Sequence, residues 1–398
     1  MGTALAIFLG ALAIYWASAS LLGRTASPDE AYFDRLADSF LHGRMDLVAP
    51  PTNHDLTQHN GRWYVPFPPL PALLLLPWVA AQGVAAVNTV FFATMLGAAN
   101  VALAYLLLAA LAQRGLVGLG QGDRLWLTAL WGIGSVHWYM STLGSVWFVS
   151  QISTVTFMLL AAVLAATRRG PVWVGLALAA AMWARPLVAL VFPFLAVLST
   201  LEANEGWRLR RALRWGTLAA IPVILGALAL LAYNAARFGD PFDFGYLTQN
   251  VAREVLADLR KYGQFNLHYA PHNLWVMFLA GPIWDVKHWA MVPIVDGMSL
   301  WLTTPAIWVA FRARQPRPLV LATALSVVLL AIPLVLYYNT GWWQFGYRFS
   351  LDFMTPLFVL IALGAGERLG WLWRLLIAVG IGMNAWGVWW FLNPIFFN

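Results

Sequence analysis

Apolar runs recur from one end of the chain to the other, broken by short polar or basic stretches, and their lengths set the architecture. A helix crosses the hydrocarbon core of a bilayer with about 20 mostly apolar residues, and on that rule the pattern predicts roughly eleven spans. They fall near 3–22, 68–112, 123–143, 148–167, 171–184, 186–201, 215–236, 292–311, 319–338, 350–366 and 371–392. The stretch 68–112 counts as one span with an apolar lead-in broken by prolines, and the pair flanking Arg185 reads as two short spans or one hairpin dipping partly through the bilayer. Residues 271–284 read as a shorter surface or re-entrant helix.

Two long segments, 23–67 and 237–291, interrupt the spans. Loops of that length in a compact bundle usually carry function. The first opens with Ser27-Pro28-Asp29-Glu30, a capping-box pattern in which Ser27 is the N-cap, Pro28 the first helical residue and Glu30 reaches back to the cap. Phe33, Leu36, Ala37, Phe40 and Leu41 follow at helical spacing, which predicts an amphipathic helix over 28–42 lying on the membrane face and ended by Gly43. In that helix Asp29 favours the positive end of the dipole, and Asp34 and Asp38 share the solvated polar face.

Composition narrows the class. With 61% hydrophobic and 10% charged residues, the chain has too little polar surface for a soluble domain of 398 residues. The expectation is an all-α integral membrane protein, a single transmembrane domain over 1–398 with the two long loops forming one functional face. The first apolar run lacks a basic leading region and is expected to be a retained span. Cysteine is absent, which excludes a disulfide framework and thiol metal ligands.

Charge orients the bundle. Arg114/Arg124, Arg168/Arg169, Arg208/Arg210/Arg211/Arg214, Arg312/Arg314/Arg317 and Arg368/Arg374 fall on alternate loops, which makes those loops and the N-terminus cytoplasmic. Of the 17 carboxylates only Asp123, Glu202, Glu205 and Glu367 then lie inside, and all seven histidines lie outside. Titratable chemistry is thus expected on the extracytoplasmic face. The net charge of +7 is accounted for by cytoplasmic arginines meeting anionic lipid, and no basic-aromatic platform points to a nucleic-acid partner.

After the amphipathic helix comes NHDLTQHNGRWYVPFPPLPALLLLPW (53–78), and later MWARPLVALVFPFL (182–195), YNAARFGDPFDFGY (233–246), NLHYAPHNLWVMFLAGP (266–282) and WWQFGYRFSLDF (342–353). Together with the Asp29-Glu30 pair in the first outer loop, this ensemble resembles the bacterial GT-C superfamily of polyprenyl-phosphate-dependent glycosyltransferases, in particular multi-pass enzymes related to glycosyltransferase family 39. Protein O-mannosyltransferases of that family are similar in carrying an Asp-Glu pair at that place. The resemblance covers nearly the whole chain through loose motifs; this chain shows no large C-terminal soluble domain, so acceptor choice does not carry over.

The resemblance implies a GT-C type bundle that transfers a sugar from a polyprenyl-phosphate donor to an acceptor hydroxyl on a lipid, glycan or protein. It places the enzyme in the bacterial cytoplasmic membrane with an extracytoplasmic site. It also implies Asp29 as the catalytic carboxylate, with Glu30 beside it. A carboxylate acting as general base contributes about 10²–10⁴-fold. The departing phosphate calls for cations, and Arg suits it through its planar fork. Arg348 in FGYRF, Arg185 in WARP, Arg62 in NGRW and the Lys287-His288 pair are the candidates. For Arg185 the structural alternative is a pair with a nearby carboxylate, for Arg348 snorkelling to headgroups, and for the loop cations plain solvation.

No cofactor is called for with certainty. A divalent metal stays open through His54, Asp55 and His59, or through His268 and His272, although neither set has zinc spacing and Pro271 disfavours a regular helix at the second. His137 reads as a hydrogen-bonded packing residue, and the tryptophans as interfacial belts. The alternatives to an enzyme are a transporter or flippase for lipid-linked sugars, or a glycan ligase of similar architecture. Unlike halves and externally gathered ionisable groups weigh against the transporter.

Overall fold

The computed structural model describes residues 2–202, 208–341 and 343–393, and for 253–254 the backbone alone; Glu205 and Trp342 lie outside the described residues. Helix α1 (Gly2–Leu21) leads into the first long loop, which carries α2 (Phe33–Leu41), the antiparallel hairpin β1 (Thr57–His59) and β2 (Arg62–Tyr64), and α3 (Leu70–Gln82). There follow α4 (Thr89–Gln113), α5 (Gln121–Gly132), the single turn α6 (His137–Met140), α7 (Val146–Ala166), α8 (Pro171–Met182), α9 (Phe192–Thr200) and α10 (Leu209–Phe238). The second long loop holds α11 (Arg253–Tyr262), α12 (Ala270–Phe278) and the hairpin β3 (Ile283–Asp285) and β4 (Ala290–Val292). The chain closes with α13 (Leu300–Thr303), α14 (Arg317–Val335), α15 (Leu351–Ala365) and α16 (Trp371–Leu392).

The chain is an all-α membrane protein with little sheet. Among the described residues, seven helices are long and apolar enough to cross a bilayer: α1, α4, α7, α10, α14, α15 with its leading turn from Arg348, and α16. Regular helices are what such sequences must form, because hydrocarbon offers no partner for a free backbone N–H or C=O. Their outward faces stay apolar, as at Leu5 and Leu9 of α1 or Leu225 and Leu228 of α10. Helix α15 is the opposite case: every residue from Leu351 to Ala365 is buried. It is the central stave of the bundle, so whatever stands at its first turn stands at the centre of one end.

Several expected spans take another form. The stretch 68–112 divides into α3 and α4. Pro69 and Pro71 start α3, and the turn around Gly83 (φ +80) ends it. The Leu70 N–H donates to the Trp183 carbonyl at 3.0 Å, and the loop beyond α3 meets Ser27, so α3 begins and ends at the same end of the bundle. The stretch 123–143 breaks after Gly132 into α6, which buries His137 completely. The stretch 292–311 is β4, α13 and a 3-10 helix over Pro305–Arg312, while 271–284 is α12 followed by the start of a hairpin.

The first loop corrects the capping box. Helix α2 starts at Phe33, with Tyr32 before it and no side-chain cap. The Ser27 hydroxyl instead accepts the Thr89 N–H at 2.9 Å and donates to the Val87 carbonyl at 3.3 Å, serving the start of α4, where N–H groups also lack helical partners. The amphipathic reading holds in register: Phe33, Leu36 and Ala37 are buried and pack with Ala72 and Leu75 of α3. Asp34, expected in solvent, is buried, its carboxylate accepting the Arg35 N–H at 2.7 Å.

The two ends of the bundle differ in charge. At one end Arg114 donates to the carbonyls of Leu198 and Leu201 at 2.6 Å, closing the C-terminus of α9 with arginine, and Arg374 in the first turn of α16 pairs with Asp123 in the first turn of α5 at 2.7 Å. The other end receives both long loops, which are stitched together there. The Asp55 N–H donates to the Asn250 carbonyl at 2.9 Å, the Asn250 N–H to the Leu56 carbonyl at 2.8 Å, and the Thr57 hydroxyl to the Gly245 carbonyl at 2.7 Å.

Candidate active site

A cavity of about 260 Å³ opens where the two loops meet the head of α15. Its polar walls are Asp55, Arg185, Tyr246, Gln249, Arg348 and Asp352, with Trp147, Phe265, Tyr337 and Phe349 among the aromatic ones.

Local sequence explains each polar position. Arg185 precedes Pro186, which bars it from the helical region, and its φ of −145° and ψ of 104° are extended. Helix α8 therefore stops, and the side chain turns inward. Its Nε and Nη2 donate to one oxygen of Asp352 at 2.8 and 2.7 Å. The other Asp352 oxygen accepts Gln151 Nε2 at 2.9 Å, and the same amide nitrogen donates to the Arg348 carbonyl at 2.9 Å. This pair lies deep, with Asp352 4% and Arg185 19% exposed in their side chains.

Arg348 is 6% exposed. Its backbone N–H donates to Gln344 Oε1 at 2.8 Å and its Nε to the Gly341 carbonyl at 2.9 Å. Gly341 has φ +104, and a Cβ there would stand 2.8 Å from Gln344 Oε1 and 3.0 Å from Arg348 Nε, so only glycine lets the loop approach this closely. The guanidinium lies against the rings of Phe148 and Phe349, at 5.3 and 5.0 Å, and Arg185 lies against Phe349 as well at 5.1 Å. Both Nη atoms of Arg348 are without a hydrogen-bond partner among the described residues. A buried cation with donors unused is built to receive an anion.

Asp55 lines the same cavity in a left-handed conformation (φ +58), which Asp tolerates. One carboxylate oxygen accepts the Trp147 indole N–H at 2.8 Å, and His54 Nε2 lies 3.9 Å from the same oxygen. Burial pushes the Asp55 carboxyl above the usual range; the charge of His54, the indole hydrogen bond and Arg348 oppose that, and Glu30 adds to it. A carboxyl so placed is poised to take a proton.

Of the residues singled out in the sequence, Arg185 and Arg348 line the cavity together. Asp29 lies exposed in a turn outside it. Glu30 is half-buried, its carbonyl accepting the Val146 N–H at 2.9 Å, and it reaches the site only through its charge on Asp55. Arg62 is exposed on β2, 3.6 Å from Asp46, and Lys287 and His288 are on the β3–β4 hairpin, where His288 Nδ1 meets Asp285 at 2.5 Å; none of the three lines the cavity. His59 packs on Phe238. His137 is the hydrogen-bonded packing residue expected, between Tyr15 at 3.1 Å and Asn100 at 3.2 Å. Among the described residues no group of three or more His, Asp or Glu is placed to hold a metal ion.

Asp352, Gln151, Tyr246 and Gln249 went unnoticed in the sequence. Asp352 carried a signal: it stands four residues after Arg348, one helical turn along a buried span, where a carboxylate needs a partner. The chain matches no family model, no curated protein and no solved structure.

Proposed function

We propose that the chain is a membrane glycosyltransferase of GT-C type that moves a sugar from a polyprenyl-phosphate donor to an acceptor hydroxyl at the extracytoplasmic face of a bacterial cytoplasmic membrane. The observation that carries this reading is the pairing, in the walls of one cavity, of a buried Arg348 whose Nη donors have no partner among the described residues and a half-buried Asp55 with a raised carboxyl. The first suits a phosphate that gains charge as it departs, and the second suits a hydroxyl that must lose its proton.

In this reading the donor phosphate rests on Arg348, with Arg185 held nearby by Asp352, and the prenyl tail leaves toward Leu187 and Leu334 on the apolar side of the cavity. The acceptor oxygen attacks the anomeric carbon, its proton passes to Asp55, and the carbon–oxygen bond to polyprenyl phosphate breaks. The aromatic walls at Trp147 and Phe349 keep bulk water from both charges. Asp55 takes the role that the family resemblance gave to Asp29, because Asp55 alone of the two faces the cavity.

Purified protein in nanodiscs, offered a panel of radiolabelled polyprenyl-phosphate sugars with total membrane lipid and protein as acceptors, tests the reading. Transfer of label from one donor, abolished by Asp55→Asn, is the expected result. No transfer and no binding of any donor would end it.

A further inference from the structure

A second cavity, of about 330 Å³, lies on the other side of the loop that carries Tyr338 and Asn339. Those two residues line both cavities. The remaining walls come from α11, α12 and the segment before α13: Asp258, His268, Tyr269, His272 and Asp296 are the ones that bear chemistry. His268 Nε2 stands 3.6 Å from Asp258, and His272 Nε2 stands 3.7 Å from Asp296. Asp296 also accepts the Thr340 hydroxyl at 3.2 Å.

We propose that this second cavity is the acceptor pocket and that it takes a neutral or amino-bearing saccharide; the inference rests on the glycosyltransferase reading of the first cavity. Three features point there. The walls mix carboxylate acceptors, imidazoles that donate or accept, and the phenol rings of Tyr269 and Tyr338, the set that satisfies vicinal hydroxyls and covers a sugar face. Among the described residues two carboxylates and no Lys or Arg line the cavity, which favours a neutral or amino-bearing group there. Finally, the partition between the cavities borders the residue that carries the base: Tyr338 Oη donates to Gln249 Oε1 at 3.4 Å, and Gln249 Nε2 donates to the main-chain carbonyl of Asp55 at 3.1 Å. In this proposal a saccharide seated in the second cavity presents a hydroxyl past Tyr338 toward Asp55. There its oxygen bonds to the anomeric carbon, its proton goes to Asp55, and polyprenyl phosphate departs on Arg348.

The absence of cysteine gives a direct test. Ala252, half-buried at the second cavity, becomes the only thiol in Ala252→Cys, and pyrene-maleimide then fills the pocket. Phe242→Cys, at a side chain 75% exposed and outside both cavities, is the alkylated control. Two readouts are taken in nanodiscs: binding of farnesyl phosphate, which reports the first cavity, and transfer of labelled sugar from the donor. Alkylated Ala252→Cys should bind farnesyl phosphate within about twofold of the unmodified protein and transfer at least tenfold more slowly, with the control unchanged. In parallel Asp258→Asn should raise KM for the acceptor about tenfold with kcat little altered. Transfer at the unmodified rate after alkylation overturns the acceptor pocket, as does loss of farnesyl phosphate binding together with transfer, which would make the two cavities one site. Unmodified protein that neither binds farnesyl phosphate nor transfers sugar overturns the enzyme reading itself, and the acceptor pocket with it.

Discussion

Arg185 and Asp352, 167 positions apart, meet at 2.7 Å in the interior of the protein, and the contact fastens the break after α8 to the first turn of the central helix α15. Arg185 was legible as a cation too costly to leave alone between apolar runs. Its partner makes it both a structural residue and a wall of the cavity.

Removing one member of such a pair leaves the other charge buried and uncompensated, a loss of about 3–5 kcal/mol. Asp352→Ala and Arg185→Met are each expected to lower the melting temperature markedly in nanodiscs, and the Arg185→Met, Asp352→Leu double variant to recover much of the loss. Additive losses in the double variant would show that the two side chains do not stabilise one another.

Arg348 is expected to behave differently, because its Nη donors have no hydrogen-bond partner among the described residues. Arg348→Ala should weaken binding of farnesyl phosphate by about 30-fold or more, corresponding to roughly 2 kcal/mol or more for a lost buried charged contact. Arg35→Ala, on the exposed face of α2, should leave binding unchanged. Equal binding in wild type and Arg348→Ala removes Arg348 from the phosphate site.

Burial raises the Asp55 carboxyl, so the folded protein holds that proton more tightly than the unfolded chain does. The sign follows: stability contributed by this group is greatest at acidic pH and declines as pH rises from the ordinary carboxylate range through the raised value, where the native carboxylate must ionise in its half-buried place. Asp55→Asn should therefore melt higher than wild type at neutral pH, by a margin that closes on acidification, while turnover falls about 10²-fold or more. A margin that widens toward acid pH would contradict the raised carboxyl.

Sidedness can be read with the same Cys-free background. Phe242→Cys, beside the cavity end, and Gly122→Cys, exposed at the arginine-rich end, are expected to react oppositely with an impermeant thiol reagent on intact cells, the first labelled and the second protected. Labelling of Gly122→Cys alone would place the cavity on the cytoplasmic side.

Local period and composition carried the helical class, the apolar face of α2 and the two arginines, because each is a property of a short window. What failed depended on partners far away in sequence. Ser27 reads as the cap of the helix that follows it, yet Thr89 offers a free N–H across the fold and wins the hydroxyl. Asp55 reads as a candidate metal ligand and, with Asp243, as the base to try after Asp29; what the sequence does not show is Trp147, 92 positions on, whose indole N–H donates to its carboxylate. The stretches 123–143 and 292–311 have the hydropathy of spans, but Gly132 and Gly134 in one and Pro305 in the other interrupt helices whose neighbours then bury the irregular backbone.

The Ser27-to-Glu30 stretch can now be separated into three roles. Ser27→Ala should cost about 1 kcal/mol by leaving the Thr89 N–H at the start of α4 without its partner, with little effect on rate, since Asn88 still caps that helix. Asp29→Asn, at an exposed turn outside the cavity, should leave turnover near wild type; a fall of 10²-fold would return the base to Asp29 and remove it from Asp55. Glu30→Gln is the informative change. The Glu30 charge adds to the rise of the Asp55 carboxyl that burial causes, so neutralising it should let Asp55 ionise at lower pH. The acid limb of the turnover profile should therefore move to lower pH. A profile that stays in place would mean that the acid limb belongs to another group, and one that moves upward would mean that Glu30 acts on Asp55 by something other than its charge.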